Sequence, residues 1–133
     1  MKYLLDSNIC IRYLRGKDTL LGGYLRAGLG PEIALSAPVM AELLIGARKS
    51  QHTAKHLPVT ETFISKFRIL PFDVAAAKFY VENYVALSNQ GLTVHLPDLQ
   101  ISSIALANSL IVVTHNIKHF LDIPGLVIED WQR

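Results

Sequence analysis

Tyr3-Leu4-Leu5-Asp6-Ser7-Asn8 is the stretch on which the fold turns. Three apolar residues without alternation suit a short strand buried on both faces, as strands are inside parallel sheets. Asp6, Ser7 and Asn8 are all good helix N-cap types, so the strand passes directly into a helix. Ile9, Tyr13 and Leu14 carry that helix's apolar stripe, and Gly16 is placed to stop it. Outward from there the alternation repeats. Gly28 to Pro31 break the chain before a second strand at Ile33-Ala34-Leu35, and Pro38 suits the first turn of a helix to about Lys49. Another helix is expected from His52 to Phe67, bent or split at Pro58. Arg68 to Phe72 has the character of a third strand, and Asp73 caps a helix from Val74 to about Asn89, ended by Gly91. Pro97 opens a helix over Asp98 to Asn108. Leu110 to Val113, rich in β-branched residues, is a fourth strand, and Leu126 to Ile128 a short fifth.

Strands alternating with helices imply an α/β fold, a parallel sheet with helices on both faces. Right-handed crossovers leave few topologies. Ligands in such sheets bind beyond the carboxyl ends of the strands, where strand order reverses. At 133 residues the chain has the size of one domain, taken as 1–133. Half the residues are apolar, which excludes a disordered chain. The positive mean hydropathy hints at a further buried surface, a dimer contact or a partner groove.

Cys10 is the single cysteine, so neither an internal disulfide nor a cysteine-based zinc site can form, and a reducing cytoplasm fits. The opening MKYLLDSNICIRYLRGK meets a carboxylate within six residues and lacks the form of a signal peptide. The longest nearly uncharged run, Asn83 to Ile117, is broken by Asn, Gln, Gly, Pro and Ser, so no membrane span is expected. A net charge of +2 is compatible with a polyanionic substrate without demanding one.

Three carboxylates stand apart from other charges. Asp6 is alone between Lys2 and Arg12, Glu42 between Glu32 and Arg48, and Asp98 between Glu82 and Lys118. A carboxylate in apolar surroundings needs a cation, donors or a raised pKa. A divalent metal would supply the charge, and oxygen-only ligands favour Mg²⁺ or Mn²⁺ over zinc. Asp6 falls at the end of the first strand, Glu42 in the first turns after the second, and Asp98 in the turn after Pro97. All three can face one edge of the sheet. Each also has a plainer reading: Asp6 as an N-cap, Glu42 as a solvated position on the stripe of Gly46 and Lys49, Asp98 as a favoured first-turn acid.

The segments LLDSN (4–8), APVMAELLIGA (37–47), PDLQISSIA (97–105), LIVVTHNIKHF (110–120) and PGLVIEDW (124–131) resemble PIN-domain ribonucleases, most closely the VapC-type toxins of bacterial toxin–antitoxin pairs. The likeness runs in order over nearly the whole chain. It implies a five-stranded sheet ordered 3-2-1-4-5, a homodimer, and a VapB-type antitoxin that blocks the active site and carries the only DNA contact. It makes Asp6, Glu42 and Asp98 the catalytic, metal-binding acids. Ser7 and Asn8 match the small polar residues after the first acid, and Thr114 and Asn116 the polar pair leaving the fourth strand. Many relatives carry another acid at the position of Asn116 or His119. This chain does not, which thins the acidic set and bears on a second metal ion.

The implied reaction is metal-assisted hydrolysis of tRNA or another structured RNA, leaving a 5′-phosphate and a 3′-hydroxyl. Arg12 and Arg15 can share a helix face with Lys17 just beyond, either tracking RNA phosphates or forming a solvated flank. His119 is a candidate substrate contact. His52/His56 and His115/His119 have i, i+4 spacing but neither a third ligand nor an HExxH glutamate, so zinc is not expected. Trp131 and the tyrosines are expected to pack rather than stack on bases. Two rivals stand beside the nuclease. One is a phosphorylated signalling domain, which needs an early acidic pair and a lysine after a late strand; here only Asp6 is early and Lys118 lies beyond THNI. The other is a catalytically weak or silent PIN domain that binds RNA or protein.

Overall fold

A computed structural model describes residues 1–17, 20–93 and 95–131. Its strands are β1 (Tyr3–Leu5), β2 (Ile33–Ser36), β3 (Arg68–Leu70), β4 (Ile111–Val113) and β5 (Ile128–Glu129). They form one fully parallel sheet in the order β3-β2-β1-β4-β5. The helices are α1 (Ser7–Leu14), α2 (Leu20–Arg26), α3 (Ala37–Lys49), α4 (Thr53–Ser65), α5 (Val74–Asn89) and α6 (Leu96–Ala107). Short 3-10 turns lie at Gly30–Glu32 and Ile117–His119. Successive strand residues point to opposite faces, and all four residues of β2 are buried, so helices cover the sheet on both sides. Helix α5 packs along α6 and α3 along α4, with α3 also touching α1 and α6. The core joins Leu4, Leu5, Leu35, Ile104, Val112 and Phe120 across these layers.

Caps set the helix entries. The Ser36 hydroxyl accepts from the Val39 N–H at 3.2 Å, and an Asp73 carboxylate oxygen from the Ala76 N–H at 3.0 Å. Gly16, at φ +73°, closes α1: its N–H donates to the Tyr13 carbonyl, and the Lys17 N–H to that of Arg12. This is the Schellman pattern, which needs a left-handed residue at that point.

Several details depart from the sequence expectations. Pro58 neither splits nor ends α4, which runs unbroken from Thr53 to Ser65. A proline removes one intrahelical bond, and burial of Thr60, Phe63 and Ile64 outweighs that loss. Strand β3 stops at Leu70 instead of Phe72 because Pro71 has no N–H to give the ladder. Strand β5 lies two residues later than its apolar run, with Val112 opposite Ile128 and Val113 opposite Glu129. Helix α2 was not expected. Its Gly22-Gly23 pair disfavours helix intrinsically, but α2 packs on α1 and buries Leu21 and Gly22.

Candidate active site

Strand β1 lies at the switch point of the sheet: the chain moves to β2 and β3 on one side and to β4 and β5 on the other. In parallel sheets, the connections that diverge at such a point put the ligand site beyond the carboxyl ends of the strands, here those of β1 and β4. Asp6 and Thr114 are the first residues past those two ends. The Asp6 N–H donates to the Val113 carbonyl at 2.9 Å, and the Thr114 N–H to that of Glu129 at 3.0 Å. Both side chains are therefore fixed by the sheet itself.

The Asp6 carboxylate is only 3% exposed. One oxygen accepts from the Ser7 N–H at 2.8 Å and the other from the Thr114 hydroxyl at 2.8 Å. Thr114 is wholly buried, and its hydroxyl oxygen accepts from the Asn116 N–H at 3.0 Å. Burial pushes the Asp6 carboxyl above its usual range, against the pull of the Thr114 and Ser7 hydrogen bonds. The negative charges of Asp98 and Glu42 push it the same way as burial. The three carboxylates singled out in the sequence thus act on one electrostatic site, although Glu42 remains exposed on α3.

Asp98 enters from the first turn of α6 and is 8% exposed. Its Oδ2 lies 2.6 Å from Nδ1 of His95 and 2.8 Å from Nδ1 of His119. Neither contact has hydrogen-bond alignment, so this buried oxygen is left without a donor. The two imidazoles stack, with centroids 4.5 Å apart and planes 25° from parallel. Asp98 and the two histidines place ligand atoms within 4.8 Å of one another. His95 was missed in the sequence. Its signal was local, a histidine three residues before an isolated aspartate across a helix-opening proline.

A family model for the PIN domain matches residues 3–126. The chain belongs to the PIN-domain family. Over 98% of both chains it is 34% identical to the tRNA(fMet)-specific endonuclease VapC of Shigella flexneri, and over the full length of both it is 33% identical to Ribonuclease VapC2 of Rickettsia felis. Among solved structures, it matches a chain of VapBC2 from Rickettsia felis bound to a DNA fragment from their promoter, with a TM-score of 0.89, 33% identity, and 98% and 99% of the two chains covered. A chain of DNA-bound VapBC from Salmonella typhimurium matches at a TM-score of 0.90 and 34% identity, with 98% of each chain covered. Nucleases of the PIN family generally depend on a divalent metal, and Asp6 and Asp98 meet the electrostatic demand of one: a buried carboxyl among like charges and a buried oxygen without a donor.

The remaining sequence candidates sit around this PIN centre at different distances from it. Ser7 contributes its backbone N–H, and Asn8 is half-buried one residue further along α1. Arg12, Arg15 and Lys17 are exposed, and of these Arg15 lines a groove together with Glu42. His115 and His119 do not act as a pair. His115 precedes the 3-10 turn and contacts Asp130 at 3.1 Å, whereas His119 ends that turn and faces Asp98. Trp131 is buried, stacked on Tyr24 at 4.2 Å and edge-on to Tyr3 at 4.9 Å, a packing role. No helix among the described residues is long and apolar enough to cross a membrane.

Proposed function

We propose that this PIN domain, taken over residues 1–133 as one functional unit, is a metal-dependent endoribonuclease and the toxin of a toxin–antitoxin pair. The observation that carries the reading is the Asp6 carboxyl, buried at the switch point, donor-fixed on both oxygens and loaded by the charges of Asp98 and Glu42. Maintaining that arrangement costs stability, and a cation turns the cost into binding energy. Asp6 and Asp98 would hold Mg²⁺, with Glu42 on α3 as the third acid and Mn²⁺ able to substitute. When bound, the ion supplies Lewis-acid polarisation of a phosphodiester and a lower pKa for a coordinated water.

The protein's own part is positional. Thr114 and the Ser7 N–H fix the rotation of the Asp6 carboxylate, and the Asn116 N–H in turn fixes the Thr114 hydroxyl. Asn8 borders this network from α1. Arg15, with Arg12 and Lys17 beside it, offers positive charge to the RNA backbone along the groove it shares with Glu42. The substrate class is tRNA or another structured RNA; the Shigella flexneri relative is by name a tRNA(fMet)-specific endonuclease. The partner is a VapB-type antitoxin, through which a homodimeric toxin would reach promoter DNA in the cytoplasm, in keeping with the DNA-bound VapBC complexes. A groove of about 390 Å³, lined by Ile11, Leu14, Leu43, Ala47 and Val59 and bordered by Arg15 and Glu42, suits an apolar antitoxin segment that would also cover the acidic edge.

Cleavage of RNA by the purified, antitoxin-free chain tests this reading. Cleavage should require Mg²⁺ or Mn²⁺, stop with EDTA, and be lost in Asp6→Asn and Asp98→Asn variants that fold normally. Undiminished cleavage by both variants would refute the assigned centre. Metal-independent binding of RNA without cleavage would instead favour the silent-module reading, which the histidine at position 119 leaves in view.

A further inference from the structure

We propose that His95, Asp98 and His119 form a two-histidine, one-carboxylate cation site that takes divalent transition metals in preference to Mg²⁺. It adjoins the acidic centre and shares Asp98 with it, and on that shared ligand it rests on the function proposed above.

Asp98 and the two imidazoles place ligand atoms within 4.8 Å of one another, close enough to share one ion. The Asp98 Oδ2 atom is buried and has two imidazole Nδ1 atoms at 2.6 and 2.8 Å, yet neither is aligned as a hydrogen-bond donor to it. Ligand atoms about 2.1 Å from one ion lie roughly 3.0–3.4 Å apart, so the two Asp98–histidine contacts would open by about 0.2–0.8 Å. The histidines can accommodate that, since their side chains are 54% and 43% exposed. Their backbones hold the arrangement in place: the His95 carbonyl accepts from the Leu99 N–H at 3.0 Å, and the His119 N–H donates to the Asn116 carbonyl at 3.1 Å. Phe120, fully buried, anchors the turn that carries His119.

Donor chemistry gives the preference. Mg²⁺ favours oxygen ligands and sheds water reluctantly, whereas imidazole suits Zn²⁺, Co²⁺, Ni²⁺ and, more weakly, Mn²⁺. Three protein ligands also leave coordination positions open to water or phosphate. His95 and His119 themselves line a cavity of about 270 Å³, together with Thr93, Lys118 and Asp122. Zinc was discounted in the sequence because neither histidine pair had a third ligand. The fold supplies one by bringing the start of α6 against the turn after β4.

The test titrates the full-length, EDTA-treated, antitoxin-free chain with Co²⁺, Zn²⁺ and Mg²⁺, each alone. It follows the visible Co²⁺ spectrum and calorimetric affinity, with thermal melts as a folding check. The wild type should give a Co²⁺ spectrum with nitrogen-ligand character. The double variant H95A/H119A should lose that spectrum and bind Co²⁺ and Zn²⁺ at least about tenfold more weakly, while its Mg²⁺ affinity changes less than about twofold. H95N/H119N, which keeps polar side chains of similar size, should behave the same way and covers the case of a misfolded alanine variant. Equal Co²⁺ spectra and affinities in wild type and folded variants, or a parallel loss of Mg²⁺ binding, would overturn the proposal. Either result leaves the nuclease reading intact if Asp6→Asn still abolishes Mg²⁺-dependent cleavage. Failure of that reading shows instead as absent cleavage whatever the histidines do.

Discussion

Thr114→Val removes one hydroxyl from the buried interior of the site and keeps the side-chain shape, so its effects can be worked from the structure. The hydroxyl donates to an Asp6 oxygen at 2.8 Å and accepts from the Asn116 N–H at 3.0 Å. A hydrogen bond to a charged group contributes about 1.5–3 kcal/mol, and stranding the Asn116 donor costs about 1 kcal/mol more. A loss of about 2–4 kcal/mol follows, a large share of the roughly 5–15 kcal/mol that holds a domain together. Thr114 is also one of the groups that pull the Asp6 carboxyl down, so its removal sends that carboxyl higher still. Less of it is then ionised at a given pH, and more Mg²⁺ is needed for half-maximal cleavage. Urea unfolding read together with the Mg²⁺ dependence of RNA cleavage separates the two effects. Thr114→Ser, which keeps the hydroxyl, should restore the Mg²⁺ requirement even where it does not restore all the stability. In a double-mutant cycle with Asp6→Asn, the two sites should couple by about 1 kcal/mol or more. A loss below about 0.5 kcal/mol, with no coupling and an unchanged Mg²⁺ requirement, would refute the positioning role.

Asp6→Asn should change how stability depends on pH. The folded chain holds the Asp6 proton above the ordinary value of 3.8, so the contribution of Asp6 is fully present below that pH. It is lost as pH rises toward the folded pKa, at no more than about 1.4 kcal/mol per pH unit. The metal-free wild type should therefore lose stability relative to Asp6→Asn across that window, and saturating Mg²⁺ should narrow the gap; parallel curves in urea melts would contradict it. Arg15→Ala, measured in an Asp98→Asn background that does not cut, should weaken RNA binding and lower the slope of log K against log salt by about 1. An unchanged slope would return Arg15 to the solvated flank.

The order of the elements was legible because each boundary has a local chemical cause: Asp6 and Asp73 as caps, Gly16 and Gly91 as left-handed stops, Pro97 as a helix opener. What the sequence did not display depended on contacts between distant segments. Helix α2 exists against the preference of its glycines because it packs on α1 and buries Leu21. Proline 58 was overruled by the burial of Phe63 and Ile64. The link between His95 and His119 spans residues far apart in sequence, and the packing of α6 on β4 brings them together. His119 was weighed in the sequence only beside its i, i+4 neighbour His115, which contacts Asp130 instead.

The isolated acids posed alternatives that turn out not to exclude one another. Asp6 was either an N-cap or a metal ligand, and the structure has it accepting from the Ser7 N–H at the start of α1 while its other oxygen takes the Thr114 hydroxyl. A cap fixes the rotation of a carboxylate, and a fixed carboxylate makes a better ligand because less freedom is lost when an ion arrives. Asp98 repeats the logic: it is a first-turn acid of α6, favoured there by the helix dipole, and that same placement turns its Oδ2 toward the histidines. Local preferences that stabilise the helix starts are thus the means by which the fold aims charge into the site. A substitution that spared the carboxylates but released their local constraints should therefore weaken metal binding as well as the fold, and Thr114, read by Mg²⁺ requirement beside stability, probes how the charge is aimed and not the charge itself.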